Sequence, residues 1–281
     1  MAAAQENTQK EGDEQESMAK AIELSRIVED LPRLNETFRQ SQSIFVNSVR
    51  RKVFRLDNIV LKFGSDISPF EAKYLRFISE VTNIPVPRVY RDYIHDNGTK
   101  VIAMEYIPGR ILSAIWPELC DKEKMKLVGQ VREILDKIRQ HRNTMIGGIY
   151  DTPAVDVRMF KLEGGPFSTE EQFNEFLLSD LSPATPEIFR STFRRLMKTN
   201  HNIVLTHCDI SPQNIVVNNG QIVGILDWES AGWYPEYWEY VKFFNAPDPS
   251  LDWINYAEHI FPETYDLQFT VDAFLTRCLA H

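Results

Sequence analysis

The chain has 281 residues, 43% of them hydrophobic and 25% charged, with a net charge of −9. That size and composition hold one large domain or two lobes with an ample core. The acidic balance argues against a nucleic-acid partner, because phosphate backbones are bound by basic surfaces. Cys120, Cys208 and Cys278 are odd in number and far apart, so no disulfide framework or metal knuckle can be read and a reducing compartment is expected. The opening "MAAAQENTQKEGDEQES" lacks the basic-then-apolar order of a signal peptide. No apolar run approaches membrane-spanning length. The expectation is a soluble, cytoplasmic, monomeric protein without a membrane partner.

Residues 1–17 have little apolar surface to bury and are expected to be a disordered tail. Leu24, Ile27, Val28 and Leu31 then recur at helical spacing. "IFVNSVRRKVFRL" and "NIVLKFG" are β-rich runs joined by the turn-forming Asp57-Asn58. In "SPFEAKYLRFISEV" the order Ser68, Pro69, Glu71 reads as an N-cap, a first helical residue and a capping box. "IPVPRVYRDYI" and "KVIAMEYI" read as strands around Asp96-Asn97-Gly98, a hairpin signal, and Pro108-Gly109 breaks the pattern. Beyond it the chain is mainly helical. Residues 121–142 carry Val128, Val131, Leu135 and Ile138 on one face, a second capping box is read at Ser168 and Glu171, and a helix after Thr185-Pro186 turns Phe189, Phe193, Leu196 and Met197 inward. "NIVVNNGQIVGILDWE" is a hairpin about Asn219-Gly220, followed by an aromatic segment, Trp233 to Phe244, and further helices. The expected organisation is a strand-rich lobe over 18–108 and a larger helical lobe over 109–281.

The stretch "THCDISPQN", Thr206 to Asn214, is a polar loop held between two apolar runs, where a scaffold presents chemistry. It gives His207, Asp209 and Asn214, and the following hairpin returns the chain at Asp227 close to Asn214. Two carboxylates and an amide oxygen are hard ligands suited to Mg²⁺, and Asp209 is placed to face a hydroxyl. This is a phosphoryl-transfer layout, in which one Asp orients and deprotonates the attacking hydroxyl while Asn and a second Asp hold the metal on a nucleotide. It needs a lysine on a strand of the small lobe and a helix glutamate to fix it. Lys62 in "IVLKF" and Glu71 on the next helix meet that need, although a capping box explains Glu71 equally well.

These segments resemble the aminoglycoside phosphotransferase superfamily, which includes choline-kinase-like enzymes, and most of all a large fungal group within it. The carriers are "VLKFG", "EAKYLRFI", "IPVPRVY", "MEYIPG", "LTHCDISPQNIVV" and "GILDWESAGWYPEYWEYVK", with "GPFSTEEQF" a weaker one. The resemblance implies an α+β, two-lobed protein-kinase-like fold with ATP in the cleft and Mg²⁺ as cofactor. It implies that Asp209 is the catalytic base, Asn214 and Asp227 are Mg²⁺ ligands, and Lys62 and Glu71 form the phosphate-binding ion pair. Met104, Glu105, Tyr106 and Ile107 would be the hinge whose backbone binds adenine, and His207 would support the loop. The activity implied is transfer of the γ-phosphoryl group to a hydroxyl of a small molecule, with a cationic acceptor among the candidates because Glu229, Glu236 and Glu239 lie among aromatics.

Three departures accompany the resemblance. Cys208 stands where the family has glycine, "FVNSVRRKVF" occupies the place of a phosphate loop without one glycine, and Glu239 stands for a shorter carboxylate. His207 reads as a hydrogen-bonded core histidine and Cys208 as packing, since no neighbouring base activates a thiolate. Two other readings stay open. A protein kinase is disfavoured by Asp227-Trp228-Glu229 in place of Asp-Phe-Gly and by the absence of Ala-Pro-Glu. A non-catalytic nucleotide-binding or regulatory module is favoured by the missing glycines and disfavoured by the joint presence of Lys62, Asp209, Asn214 and Asp227.

Overall fold

The computed structural model describes residues 22–41, 43–156, 162–245 and 248–279, so the predicted tail over 1–17 lies outside the described residues. The chain is a mixed α+β fold of two compact units. The first holds the described residues up to Arg76 together with Pro87–Ile107, and the second holds Phe77–Val86 and everything from Pro108 onward.

The first unit is built on an antiparallel sheet of β1 (Ile44–Asn47), β2 (Lys52–Leu56), β3 (Ile59–Gly64), β4 (Val89–Ile94) and β5 (Lys100–Glu105), in the order β1-β2-β3-β5-β4. Residues 22–29 form α1 and Leu31–Gln40 form α2. The sequence pattern shows only the first of these helices. The second begins at Asp30, whose carboxylate accepts from the Arg33 amide, with proline in the first turn. Leu24, Val28, Leu34 and Phe38 pack on Phe54, Leu61 and Phe63 of the sheet. Phe38, Phe54 and Phe63 meet edge to face at 5.6–6.1 Å between ring centres. Alternation along β3 sends Leu61 and Phe63 into this core and Lys62 to the opposite face.

The helix α3 (Glu71–Val81) starts two residues later than the proline at 69 suggests. Ser68 Oγ accepts from the Phe70 amide instead of completing a box, and Glu71 becomes the first helical residue with its carboxylate turned to Lys62. The point that divides the two units lies within this helix.

In the second unit α5 (Asp121–Arg139) buries Val128, Val131, Leu135 and Ile138, as its spacing requires. The Cys120 amide donates to the Glu123 carboxylate at 2.9 Å and fixes its start. Helix α6 (Glu170–Ser179) is capped by Thr169, which accepts from the Gln172 amide, one residue beyond the expected Ser168 box. Helix α7 (Glu187–Leu196) buries Phe193 but leaves Leu196 exposed, contrary to the inward reading. Between these helices and α8 (Trp238–Phe243) and α10 (Asp266–Thr276) run β10 (Ile203–Thr206), the hairpin of β11 (Ile215–Asn218) and β12 (Gln221–Ile225), and β13 (Gly232–Pro235). Asn219 and Gly220 both take positive φ at the hairpin turn, as a type I′ turn demands. Phe173, Tyr234 and Trp238 form the aromatic centre of this core. The short elements β6 (Arg110–Ile111), α4 (Leu112–Ile115), β7 (Gly147–Gly148) and α9 (Ala257–Ile260) also belong to this unit, as does a two-stranded ribbon of β8 (Ala154–Asp156) with β9 (Leu162–Gly164). Among the described residues no helix is long and apolar enough to cross a membrane.

Candidate active site

Strand β10 delivers the chain to a loop that is gripped from behind. Glu239, on α8 and almost fully buried, accepts from the His207 amide at 2.6 Å and from the Cys208 amide at 3.1 and 3.2 Å. Burial pushes the Glu239 carboxyl up from its ordinary value, against the pull of His207 and of these amides. The longer side chain, noted above as a departure, reaches the loop backbone directly. Cys208 sits at φ +71°, the left-handed region in which glycine is free and other residues are strained by roughly 1–2 kcal/mol. Its sulfur packs in the same core as Tyr234 and Trp238. Burial holds the thiol well above its usual range, so it is protonated near neutrality and serves packing, as the sequence suggests.

His207 has no exposed surface. Its Nδ1 receives the Asp209 amide at 3.1 Å, and its Nε2 lies 3.0 Å from the Leu226 carbonyl. Those two partners assign the proton to Nε2. The ring, edge-on to Trp228 at 4.5 Å, thus ties the loop to the residue that precedes Asp227. Asn214 makes a parallel tie. Its side-chain amide donates to the Asp209 carboxylate at 2.7 Å and to the Asp209 carbonyl at 3.1 Å, while its own carbonyl accepts from the Leu226 amide at 2.8 Å. The β11–β12 register, with Ile215 opposite Ile225, brings the two ends together. Asp227 follows in a left-handed conformation, φ 61° and ψ 60°.

Asp209 and Asp227 both line a cavity of about 370 Å³ whose wall also includes Cys208, Glu229, Lys242 and Trp253. Asp209 is exposed to it. Asp227 and Glu229 bring carboxylate oxygens within 4.8 Å of each other. The lysine of the wall is already neutralised: Lys242 Nζ lies 2.9 Å from Asp156 and 3.9 Å from Asp272, and 4.1 Å from the centre of the Trp238 ring. The cavity is therefore acidic. Asn214, Asp227 and Glu229 offer side-chain oxygens, donors of the chemical kind that suits Mg²⁺.

The first unit carries the other charged pair. Lys62 Nζ and Glu71 Oε2 are 2.7 Å apart, with side-chain exposures of 7% and 2%. A buried charge of this kind depends on its partners, and removal of one of them is costly. The segment expected to bind adenine is only partly available. The Glu105 amide donates to the Arg88 carbonyl at 2.8 Å and the Tyr106 amide to the Asn58 carbonyl at 2.9 Å. Met104 lies inside β5, opposite Val60 and Val89. Ile107 is the remaining amide of the four, which narrows the expectation.

Sequence reasoning did not find the bonds of Glu239, the Lys242–Asp156–Asp272 cluster or the closeness of Glu229 to Asp227. The signal for Glu229 was present, two residues after Asp227, but Lys242 and Asp156 are 86 residues apart with nothing in the sequence to join them.

Similarity to known proteins agrees with this fold. Residues 41–263 match the phosphotransferase enzyme family. A thermostable mutant of aminoglycoside phosphotransferase APH(4)-Ia, in ternary complex with AMP-PNP and hygromycin B, superposes with a TM-score of 0.56 at 16% identity, covering 87% of this chain and 86% of that one. The GDP and kanamycin complex of APH(2")-IIia gives 0.55 at 14% identity, covering 84% and 83%. At these identities the likeness concerns the fold. The trifolitoxin immunity protein of Rhizobium leguminosarum bv. trifolii is 40% identical over a stretch covering 24% of this chain and only 29% of that protein. With the family matched across most of its length and the kinase-like fold shared with aminoglycoside phosphotransferases, the chain belongs to the phosphotransferase enzyme family.

Proposed function

We propose that this phosphotransferase moves the γ-phosphoryl group of ATP, in a Mg²⁺-dependent reaction, to a hydroxyl of a small molecule. One observation carries the reading: Asp209 and Asp227 share a single cavity, and the Asn214 amide is bonded to the Asp209 carboxylate. The exposed Asp209 would accept the acceptor hydroxyl, orient it and take its proton. The Asn214 amide fixes the orientation of that carboxylate. Asn214 and Asp227, joined by Glu229, would hold Mg²⁺. When bound there the ion would neutralise charge that builds on the transferring group. Lys62, fixed by Glu71, would meet the α- and β-phosphates, and Ile107 would offer its amide to adenine. His207 and Glu239 act through the loop they hold. The lobe over 18–108 would serve the nucleotide and the lobe over 109–281 the acceptor.

The acid-rich wall favours an acceptor that bears an amine. Asp209, Asp227, Glu229 and Asp248 line the cavity beside Phe243 and Trp253, and its lysine is paired with the buried Asp156. Desolvated cations bind well against such carboxylates and rings. A screen of ATP consumption over amino alcohols, aminoglycosides and neutral polyols tests this. Mg²⁺-dependent ADP release with an amine-bearing alcohol is the expected result. No thermal shift with millimolar ATP and Mg²⁺, and no ADP release, would favour a non-catalytic module and overturn the proposal.

A further inference from the structure

Carboxylates of Asp209, Asp227, Glu229 and Asp248 line the cavity, and Lys242 is the single lysine or arginine among the described residues of its wall. Lys242 lies on α8, one turn after Glu239. Its side chain is 2% exposed, as is that of Asp156, the last residue of β8. The two are hydrogen-bonded, Nζ to Oδ1 at 2.9 Å. Asp272 on α10 brings a second carboxylate to 3.9 Å, and the centre of the Trp238 ring lies 4.1 Å from Nζ. Neither Asp156 nor Asp272 is among the residues that line the cavity.

The lysine of such a wall has two courses open to it. Held by carboxylates from outside the wall, its charge is cancelled and the wall stays negative. Without them a buried ammonium is uncompensated, which is costly, and its flexible four-carbon stem lets Nζ turn to the carboxylates of the wall. It would then occupy the place that a ligand's amine needs. The two charges of the pair already oppose each other at the loop. The Cys208 thiol, raised first by burial and then by Glu239, is drawn down by Lys242 and raised again by Asp156. A buried ion pair is weak evidence for stability, so stability alone is a poor reason for one beside this cavity.

We propose that Asp156 determines acceptor specificity: by holding Lys242 it keeps an ammonium off the cavity's carboxylates and reserves them for a cationic acceptor. Asp156 acts through Lys242 and is a positioning residue. The inference rests on the reading of an amine-bearing acceptor given above. It adds that the preference is set from outside the wall, where one substitution frees the lysine and shifts the preference toward an acceptor that bears a carboxylate.

The test compares kcat/KM for ADP release from ATP with Mg²⁺ on two sets of probes. One set is amine-bearing alcohols (2-aminoethanol, choline and kanamycin), and the other is hydroxy acids (glycerate and gluconate). The chains are the wild type, Asp156→Asn, Asp272→Asn and Asp156→Asn/Lys242→Met. The ratio between the sets is the readout, because a loss of folded protein lowers both sets alike. The wild type is expected to prefer the amines. Asp156→Asn should lower the ratio by about tenfold or more, since a like charge now faces the ammonium. Asp272→Asn removes the more distant partner and should move the ratio the same way by a smaller factor, which keeps the test open if Asp156→Asn does not fold. The double variant has no ammonium left and should restore the wild-type ratio. A ratio unmoved in Asp156→Asn and Asp272→Asn overturns the inference and leaves the phosphotransferase reading standing. A wild type that prefers the hydroxy acids, or turns over neither set, also overturns it. A wild type with no thermal shift in ATP and Mg²⁺ removes the phosphotransferase reading as well.

Discussion

In the first unit a lysine and a glutamate meet side chain to side chain, 2.7 Å apart and nearly out of water. In the second, a buried glutamate takes two backbone amides of the loop that carries Asp209. The two arrangements differ in what substitution can do to them. Both members of the ion pair are side chains, so the pair is replaceable as a unit. The partner of Glu239 is main chain, so nothing on the other side can be changed to compensate. Buried ion pairs are weak evidence for stability, whereas a buried amide without an acceptor is costly. The fold can therefore do without the pair more readily than without Glu239, which holds the backbone of the loop.

The largest effect is expected at the cavity. Asp227→Ala should abolish Mg²⁺-dependent turnover, read as ADP release over a metal titration, and activity that persisted with unchanged Mg²⁺ dependence would remove Asp227 from the site. The ion pair comes next. Lys62→Met alone removes a charge partner of the buried Glu71 and should lower stability by about 3–5 kcal/mol. The double variant Lys62→Met/Glu71→Leu should return most of that stability in denaturant unfolding and no turnover.

Glu239→Gln is expected to lower unfolding free energy by about 1–3 kcal/mol, because an amide satisfies the two loop N–H groups less well than a carboxylate. Its pH dependence has a defined sign. The folded carboxyl titrates above its ordinary value of 4.5, so the native state binds more protons than the unfolded chain from there upward. The contribution of Glu239 to stability is then greatest below pH 4.5 and declines as pH rises to the folded value. The wild-type advantage over Glu239→Gln should shrink across that window, and an advantage that grew would contradict the buried placement. The smallest effect is expected at Cys208→Gly. Relief of the left-handed strain, about 1–2 kcal/mol, opposes the entropy of a new glycine, about 0.5–1 kcal/mol, and the lost burial of the thiol. The net change in melting should correspond to about 1 kcal/mol or less, with turnover retained.

Much of this architecture was readable because local signals agree with the fold. The stripe of α5, the Asn219-Gly220 turn and the polar loop between two apolar runs each carry their own cause. The return of Leu226 to Asn214 follows from a hairpin visible in the sequence. Other features depend on tertiary choices. Glu71 suits a cap or a lysine, and the helix start decides between them. Helix α2 was hidden because Pro32 looks like a breaker until Asp30 is seen as its cap. Of the hinge amides, those of Glu105 and Tyr106 are consumed by Arg88 and Asn58, partners 17 and 48 residues away that no periodicity announces.

The role of Asp209 is open to a single substitution. Asp209→Asn keeps size and shape and removes the base, so nucleotide affinity should stay within about twofold of wild type while turnover falls by roughly 10²–10⁴. Equal turnover by the variant and the wild type on an accepted substrate would contradict Asp209 as the base and, with it, the mechanism proposed for this chain.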